Sequence, residues 1–138
     1  MTTTFVDTSA FYATFDRVDA NHAMSRSHLE AVKGQHQLTH NYVVVETTAL
    51  LQHRLGMEAV RRFHSELLPV VEIHWVDRTT HDTALAALLS GGRRTVSFVD
   101  CVSFQVMRAL GIRDAFAFDA DFGRAGFRCV PARRRPRS

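Results

Sequence analysis

Four acidic residues lie where the sequence alone gives a carboxylate a possible chemical role: Asp7, Glu46, Asp100 and Asp119. Gathered in one place, four carboxylates would repel one another and raise each other's pKa values. A hard divalent cation such as Mg²⁺ or Mn²⁺ removes that repulsion, since both ions prefer oxygen ligands. An ion held in this way can activate water and stabilise charge on a phosphoryl group. The pattern therefore indicates hydrolysis of phosphodiesters.

Asp7 and Asp119 each come directly after a predicted strand, at 3–6 and 115–118. In open α/β sheets, ligands bind beyond the carboxyl ends of the strands, so both aspartates fall where a site is expected. Taken singly, each can also be explained as a turn or helix-cap aspartate. A functional role is favoured because both aspartates directly follow a predicted strand.

Glu46 has the strongest physical argument, because it lies inside a predicted helix with mainly apolar neighbours on its face. Those neighbours are Tyr42 and Val43 before it, and Ala49 and Leu50 after it. A carboxylate on such a stripe points toward the interior or its margin. Burying an unpaired charge is very unfavourable, so the group must be paired, protonated or bound to a metal. A salt bridge to a nearby arginine, or a wider polar face, is the structural alternative.

Asp100 follows Phe98 and Val99 and opens the predicted helix 98–110. An acid in the first turn can simply complement the helix dipole, which is the structural alternative to a metal-binding role. Ser97, three residues earlier, is placed either to cap this helix or to hold a carboxylate by a hydrogen bond.

Strands alternate with helices along the chain, which indicates an α/β fold. Strands are predicted at 3–6, 37–39, 70–76, 115–118 and 127–130. Helices are predicted at 10–15, 19–33, 42–55, 57–68, 80–89 and 98–110, with a loop at 119–122. Thr8 or Ser9 is predicted to cap the first helix, and Asn41 the third. The expected architecture has three layers, with a central, mainly parallel sheet of four to five strands flanked by helices.

The length and charge of the chain predict one domain with a basic end. Its 138 residues suit a single domain, predicted at 1–131, that can bury a substantial core. The segment 132–138 carries four arginines, which exceed the formal net charge of +3 and leave the preceding residues nearly neutral. A basic arm favours an anionic partner such as nucleic acid, whereas a solvated, disordered end is the structural alternative.

Several other classes of protein are excluded or disfavoured. Cys101 and Cys129 are too few for a four-cysteine zinc site or a dense disulfide framework. The eight histidines form no His-Glu-x-x-His pair, and no Gly-x-Ser-x-Gly elbow is present. The N-terminus lacks the features of a signal peptide, and no apolar stretch approaches the roughly 20 residues that span a bilayer. We therefore expect a cytoplasmic protein without membrane contact.

The acids belong to four motifs whose order and spacing resemble those of PIN-domain proteins. More narrowly, the chain resembles the toxin ribonucleases of VapBC-type toxin–antitoxin pairs, over the range 5–131. The motifs are Phe5-Val6-Asp7-Thr8-Ser9-Ala10, Val45-Glu46, Ser97-Phe98-Val99-Asp100 and Phe118-Asp119-Ala120-Asp121-Phe122. Each motif is weak alone, but their order over a chain of this length is a specific pattern.

The resemblance implies a PIN-like fold and a defined set of site residues. The implied catalytic, metal-binding acids are Asp7, Glu46, Asp100 and Asp119. Asp121 matches a more variable acidic position that would hold a second metal ion or a water. Ser9 and Ser97 match hydroxyl positions that support the acids. The implied cofactor is Mg²⁺, with Mn²⁺ as a substitute.

The resemblance also implies an activity and partners. The activity is metal-dependent endonucleolytic cleavage of RNA, which leaves a 5′-phosphate and a 3′-hydroxyl. The partners are an RNA substrate, a second copy of the chain in a homodimer, and a cognate VapB-like antitoxin. In this family the C-terminal segment of the antitoxin lies over the site, often with a basic side chain toward the carboxylates.

Two pairs of arginines are candidates for contacts with RNA phosphates. Arg93 and Arg94 come shortly before the predicted helix 98–110, and an ordinary solvated turn is their structural alternative. Arg124 and Arg128 follow the predicted loop 119–122 and are similar candidates.

Two other functions remain open from the sequence. One is a catalytically inactive PIN scaffold that binds RNA or a partner protein, against which the intact set of acids argues. The other is a structure-specific nuclease directed at DNA, as in more distant relatives of the fold. The short chain lacks the extra helical elements expected to clamp a DNA junction.

Overall fold

Five short parallel strands form the central sheet of this computed structural model, which describes residues 2–91 and 96–132. The strands are β1 (Thr4–Val6), β2 (Gln37–His40), β3 (Glu72–His74), β4 (Asp114–Phe116) and β5 (Arg128–Val130). Their order is β3-β2-β1-β4-β5, and every neighbouring pair is parallel. The chain leaves β1 for one side of the sheet and later returns to its other side. The carboxyl end of β1 is therefore a topological switch point, where α/β folds bind ligands.

Seven α-helices within the described residues flank the sheet. They are α1 (Thr8–Phe15), α2 (His22–Ala31), α3 (Asn41–Arg54), α4 (Met57–Arg62), α5 (Arg78–Gly91), α6 (Phe98–Leu110) and α7 (Asp121–Arg124). A π-helical turn (Phe63–Leu67) and a 3-10 turn (Leu68–Val70) follow α4. The predicted α/β architecture is confirmed, and the sheet is fully rather than mainly parallel.

β1 lies at the centre of the core, and all three of its residues are buried. Phe5 is fully buried, and its ring stacks on those of His40 and Phe122, with 5.6 Å and 6.1 Å between centroids. On α1, the ring of Phe11 meets that of Phe63 edge-on at 5.1 Å. Burial on both faces is what a parallel sheet covered by helices requires. This packing fixes the strand and, with it, the position of the residue that follows.

Two predicted helix caps were wrong. α1, predicted to be capped by Thr8 or Ser9, is capped by Asp7, whose carboxylate accepts a hydrogen bond from the backbone N–H of Ser9 (3.1 Å). α3, predicted to be capped by Asn41, is capped by His40. The imidazole Nδ1 of His40 accepts from the two following helical N–H groups at 3.2 Å and 3.3 Å. A neutral imidazole nitrogen is a hydrogen-bond acceptor, so it can replace the usual cap oxygen.

Some predicted elements are shorter or differently placed than expected. The predicted strand 70–76 is reduced to Glu72–His74, because the 3-10 turn Leu68–Val70, which contains Pro69, extends into its start. The predicted helix 57–68 keeps α geometry only over Met57–Arg62. The predicted loop 119–122 leads into α7, which begins at Asp121.

Part of the predicted organisation falls outside the described residues. Residues 133–138 of the predicted basic segment lie there, as do Arg93 and Arg94, so their roles stay predictions. Within the described ranges, no helix is both long enough and apolar enough to cross a membrane. Cys101 is a buried free thiol.

His40, at the start of α3, forms a hydrogen bond with α6. The residue is fully buried, and its Nε2 lies 2.8 Å from Oγ of Ser103 on α6. The Ser103 hydroxyl donates to the backbone carbonyl of Val99 (2.9 Å), so the Nε2–H of His40 is the donor and Nδ1 the acceptor. Burial lowers the pKa of His40 to about 3, with a smaller contribution from His74, and the ring stays neutral.

Two substitutions test the two hydrogen-bonding roles of His40 separately: the Nδ1 cap of α3 and the Nε2 bond to Ser103. His40→Asn keeps an acceptor near Nδ1, and so the cap, whereas His40→Gln keeps a donor near Nε2 but loses the cap. We expect each to lower the free energy of unfolding by about 1–3 kcal/mol, and His40→Ala to lower it further. Urea unfolding at pH 7 measures the effect, with His53→Asn, at an exposed position on α3, as the control. An alanine variant as stable as the wild type would contradict both roles.

Candidate metal centre

One cleft, of about 500 Å³, lies at the carboxyl edge of the sheet and is lined by the four predicted acids. These are Asp7, Glu46, Asp100 and Asp119. β1 and β4 are neighbours in the sheet, with Val6 opposite Phe116, so the residues that follow the two strands reach the same edge. The other two acids come from α3 and from the first turn of α6.

Asp7 is the most enclosed of these four acids, with 4% of its surface exposed. Its Oδ2 accepts hydrogen bonds from the backbone N–H (3.1 Å) and the hydroxyl (2.7 Å) of Ser9. The Ser9 oxygen in turn accepts from the backbone N–H of Phe118 (3.0 Å), which joins Asp7 to the segment after β4. Burial raises the pKa of Asp7 to about 7, the charge of Asp100 adds to this, and the bonds from Ser9 oppose it. Ser9 therefore lies where a supporting residue was predicted.

Asp100 is held by a reciprocal pair of hydrogen bonds with Ser97. The backbone N–H of Ser97 donates to Oδ2 of Asp100 (3.1 Å), and the backbone N–H of Asp100 donates to Oγ of Ser97 (3.0 Å). This capping box fixes the carboxylate at the start of α6. Burial raises the pKa of Asp100 to about 6, and the negative charges of Asp119 and Glu46 also raise it.

Asp119 and Asp121 form a group of three carboxylates with Asp100. Each can offer one oxygen atom, and these oxygens all lie within 4.8 Å of one another. The backbone N–H of Asp121 donates to Oδ1 of Asp119 (2.9 Å), while the Asp121 carboxylate accepts from Nη1 of Arg124 (2.9 Å). Asp121, predicted as an accessory ligand, is as buried as Asp7, with 4% exposed.

Glu46 faces the cleft from α3 and is half-buried, so it lies at the margin of the interior. Its charge contributes to the raised pKa of Asp100, which places the two within electrostatic reach. Among the described residues, no arginine or lysine forms an ion pair with Glu46, Asp7, Asp100 or Asp119. The alternative of a salt bridge from Glu46 to an arginine is therefore not found in this part of the chain.

The donor set fits a hard divalent cation. The ligating atoms are all carboxylate oxygens, and oxygens up to 4.8 Å apart can be spanned by one ion with bonds of about 2.0–2.5 Å. When no cation is bound, Asp7 retains a proton close to neutral pH, because burial disfavours its charged form. A divalent ion favours the charged form of each carboxylate and would displace that proton.

Of the predicted RNA-contacting arginines that the structure describes, Arg124 lies beside the acids and Arg128 does not. Arg124 is 60% exposed and pairs with Asp121. Arg128 begins β5 and makes two 2.8 Å bonds to the carboxylate of Asp114, which begins β4. Because the strands are parallel, this pair lies at the amino edge of the sheet, opposite the cleft.

The rest of the cleft is lined by residues that were not predicted as site residues. They are Thr8, Tyr12, Asp19, Asn21, Leu50, Arg54 and Phe118. The hydroxyl of Thr8 is buried and has no hydrogen-bond partner among the described residues. Arg54 could have been predicted as a cleft residue from the sequence. Glu46, Leu50 and Arg54 are spaced by four residues and therefore share one face of α3.

Comparison with known proteins gives consistent matches over most of the chain. The PIN domain family matches residues 4–128. The 23S rRNA-specific endonuclease VapC20 of Mycobacterium tuberculosis (strains CDC 1551 and H37Rv) is 40% identical over 124 residues, 89% of this chain and 94% of the relative. The crystal structure of the M. tuberculosis VapC20, described as a sarcin-ricin loop cleaving toxin, has a TM-score of 0.81 at 38% identity and covers 90% of this chain and 95% of its own. FitAcB from Neisseria gonorrhoeae shares the fold, with a TM-score of 0.68 at 12% identity over 91% and 95% of the two chains.

Proposed function

The chain belongs to the PIN-domain family, and on that premise we propose that it is a metal-dependent endoribonuclease that acts as the toxin of a toxin–antitoxin pair. The observation that carries the proposal is the cleft at the switch point of the sheet. There Asp100, Asp119 and Asp121 offer oxygens within 4.8 Å of one another, and Asp7 and Glu46 face the same space or its margin. A cluster of carboxylates in which Asp7, Glu46, Asp100 and Asp119 form no ion pair within the described residues suits phosphodiester hydrolysis with a divalent ion.

Asp7, Asp100, Asp119 and Asp121 are the residues that would hold the ion. When bound, the ion would supply a Lewis acid that lowers the pKa of water and stabilises charge on the phosphoryl group. Ser9 and Ser97 orient Asp7 and Asp100 through the hydrogen bonds described above. These residues hold the carboxylates in position before the substrate arrives, which is the protein's main contribution to such a reaction.

Glu46 and Asp119 are the less buried acids of the cleft and face its open part. Glu46, which is not among the four proposed ligands, is positioned to accept a proton from the attacking water. Attack at phosphorus with departure of the 3′-oxygen leaves a 5′-phosphate and a 3′-hydroxyl. The proton that the water loses is balanced by protonation of the leaving oxygen from solvent.

Mg²⁺ is the ion that the donor set favours, with Mn²⁺ as a substitute. All donors are oxygens, with no cysteine or histidine among the lining residues that the structure describes. Soft ligands would favour zinc or copper, whereas carboxylates and water suit magnesium and manganese.

RNA is the proposed substrate, and ribosomal RNA is its proposed class. The support is the 40% identity, over nearly the full length of both chains, with a relative named as specific for 23S rRNA. The stem-loop named for the solved relative, the sarcin-ricin loop, is therefore the first substrate to test. A catalytically inactive scaffold that binds RNA is the second candidate, and the intact set of acids argues against it.

The proposal includes protein partners. An antitoxin segment that carries a basic side chain would fit the cleft, because five carboxylates line it, those of Asp7, Asp19, Glu46, Asp100 and Asp119. A homodimer and a cytoplasmic location, where ribosomal RNA is found, are further parts of the proposal.

Purified protein is expected to cut a sarcin-ricin-type stem-loop oligonucleotide in Mg²⁺, to stop in excess EDTA, and to resume in Mn²⁺. The physical reason is that uncompensated carboxylates repel the phosphate that the cation would otherwise attract. Gel analysis of end-labelled RNA measures the cleavage, and ligation to the product tests for a 5′-phosphate. Undiminished cleavage in EDTA would contradict the metal dependence. RNA binding with no cleavage in either ion would favour the inactive scaffold.

A further inference from the structure

The charge of the cleft is distributed very unevenly. Five carboxylates line it, and Arg54 is the one basic side chain among its described lining residues. An RNA strand is a polyanion and needs positive charge along its path. A divalent ion would provide that charge only at the end of the cleft where the acids gather. Arg54 lines the cleft from the C-terminal end of α3, two helical turns beyond Glu46.

Arg54 is the last residue of α3 and lies eight residues after Glu46. With a rise of 1.5 Å per residue, the two positions are ~12 Å apart along the helix axis. Leu50 lies between them and lines the same cleft. Arg54 is therefore placed for a different phosphate of the strand from the one held beside the acids.

Tyr12 holds the Arg54 side chain without neutralising it. The guanidinium carbon lies 5.2 Å from the centre of the Tyr12 ring, which is a cation–π arrangement. The Tyr12 hydroxyl donates to Oδ2 of Asp16 (2.7 Å), so that carboxylate is engaged by a neutral donor. No ion pair joins Arg54 to Asp16, or to any other carboxylate in the described part of the chain. The pKa of Asp16 is lowered mainly by its hydrogen bonds from Tyr12 and Val18, with a smaller contribution from the charge of Arg54. The arginine is thus oriented but not ion-paired within the described residues, so its N–H donors can bind a ligand.

The chemistry at this end of the cleft suits a phosphate better than a base. Tyr12 is only 9% exposed and the guanidinium covers its ring, so no open aromatic face remains for a base to stack on. A guanidinium presents several N–H donors in a planar fork that matches two oxygens of a phosphodiester. Asn21, which lines the same cleft, adds a neutral polar group.

We propose that Arg54 forms a subsite for a backbone phosphate of the RNA, separate from the phosphate that is cleaved. The inference rests on the proposed function, because it supposes that RNA lies along the cleft with its scissile phosphate beside the acids. The subsite fixes the register of the strand relative to those acids. The subsite is expected to change the affinity for RNA and to contribute no specificity for particular bases.

Binding of a fluorescent sarcin-ricin-type stem-loop oligonucleotide tests the subsite. Titrations in Mg²⁺ at several salt concentrations use an Asp100→Asn background, so that the RNA stays intact. Arg54→Gln is expected to bind about tenfold more weakly and to lower the slope of log K against log salt by about 0.7–0.9. Arg54→Lys is expected to keep the slope and lose part of the affinity, since lysine keeps the charge but not the fork. Arg78→Gln, at a position 94% exposed on α5, is the matched control and should change neither.

A scan of the RNA backbone locates the contact. Single phosphates on either side of the cleavage position are replaced by neutral methylphosphonates, one in each oligonucleotide. With Arg54 present, one replacement away from the scissile phosphate should weaken binding about tenfold. In Arg54→Gln the same replacement should not weaken binding further, because the arginine that contacts this phosphate is absent.

The outcomes separate the subsite from the proposed function. One outcome would overturn the subsite but leave the proposed ribonuclease activity intact. In it, wild type cleaves the RNA, while Arg54→Gln shows the same salt dependence of binding as wild type and the same response to each methylphosphonate. If the protein neither binds nor cleaves RNA in Mg²⁺ or Mn²⁺, the proposed function falls and the subsite falls with it. If Arg54→Gln is poorly folded by circular dichroism, Arg54→Lys decides: a slope lowered as if the charge were absent would overturn the proposal.

Discussion

Replacing Asp100 by asparagine is expected to lower the rate of RNA cleavage by roughly 10²- to 10³-fold or more, while the fold persists. Asp100 is one of the three carboxylates whose oxygens lie within 4.8 Å of one another. It is also the acid whose pKa is raised by both Asp119 and Glu46, so it lies centrally among the charges. An asparagine oxygen can still accept from the backbone N–H of Ser97, and the capping box at the start of α6 can therefore survive.

Single-turnover cleavage measures the loss for Asp100→Asn, and calorimetric titration of Mn²⁺ measures the affinity for the ion. We expect that affinity to fall by at least ~10-fold, because even outer partners of a metal site typically contribute 10- to 100-fold. Asp82→Asn is the matched control, since Asp82 is an exposed acid on α5 that pairs with Arg78. A wild-type rate in Asp100→Asn, with unchanged Mn²⁺ affinity, would remove Asp100 from the site.

The alternation of strands and helices was predictable because it depends on local properties. A central parallel strand is buried on both faces and is therefore mainly apolar, as at Phe5 and Val6, and the residue after it lies at the ligand-binding edge. This reasoning placed Asp7 and Asp119 correctly with respect to the sheet. The predicted helix 98–110 matches α6 at both ends, because Ser97 is a strong cap and Gly111 adopts the left-handed conformation that ends a helix.

The features that could not be predicted depend on partners distant in sequence. His40 replaces Asn41 as the cap of α3, and it stays neutral because its other nitrogen meets Ser103, 63 residues away. Asp121 joins Asp100 and Asp119 only once α6 and the segment after β4 are packed together. No periodicity within one element carries that information. The sequence pattern therefore predicted acids that the fold brings to one cleft, but their arrangement depends on tertiary packing.

Replacing Asp7 by asparagine is expected to stabilise the metal-free protein at pH 8 by a few kcal/mol, although it removes one of the proposed metal ligands. Burial is the main reason that the pKa of Asp7 is raised from 3.8 to about 7, and the charge of Asp100 is a further cause. An asparagine keeps an acceptor for the backbone N–H of Ser9, so α1 keeps its cap. The variant thus removes a buried charge without removing the bond that positions the helix.

The direction of the effect with pH follows from proton linkage. The folded protein holds the Asp7 proton up to about pH 7, whereas the unfolded chain releases it near the ordinary aspartate pKa of 3.8. The stabilising contribution is therefore fully present below about pH 4 and is lost as the pH rises to about 7. Each tenfold change in proton affinity is worth ~1.4 kcal/mol. The free energies of unfolding of wild type and Asp7→Asn should accordingly diverge across this window, with the variant more stable above it.

His40 titrates in the opposite sense within much of the same window. Its pKa is about 3 in the fold and 6.5 in the unfolded chain, so it adds stability as the pH rises between those values. Because both proteins contain His40, its contribution cancels in their difference, which is the quantity to measure. Urea unfolding in EDTA between pH 4 and pH 8 provides it. A difference that does not change with pH would contradict a buried, protonated Asp7.

Saturating Mn²⁺ is expected to narrow the difference in stability between Asp7→Asn and wild type at pH 8. An ion that binds only the folded state stabilises it by ~2.7 kcal/mol at a hundred times its Kd. Wild type should gain more of this than Asp7→Asn, because the variant lacks one charged ligand. Equal stabilisation of the two proteins would show that Asp7 does not contact the ion. On this prediction, the Asp7 carboxylate destabilises the ion-free fold and strengthens binding of the ion, so its burial serves the proposed activity at a cost in stability.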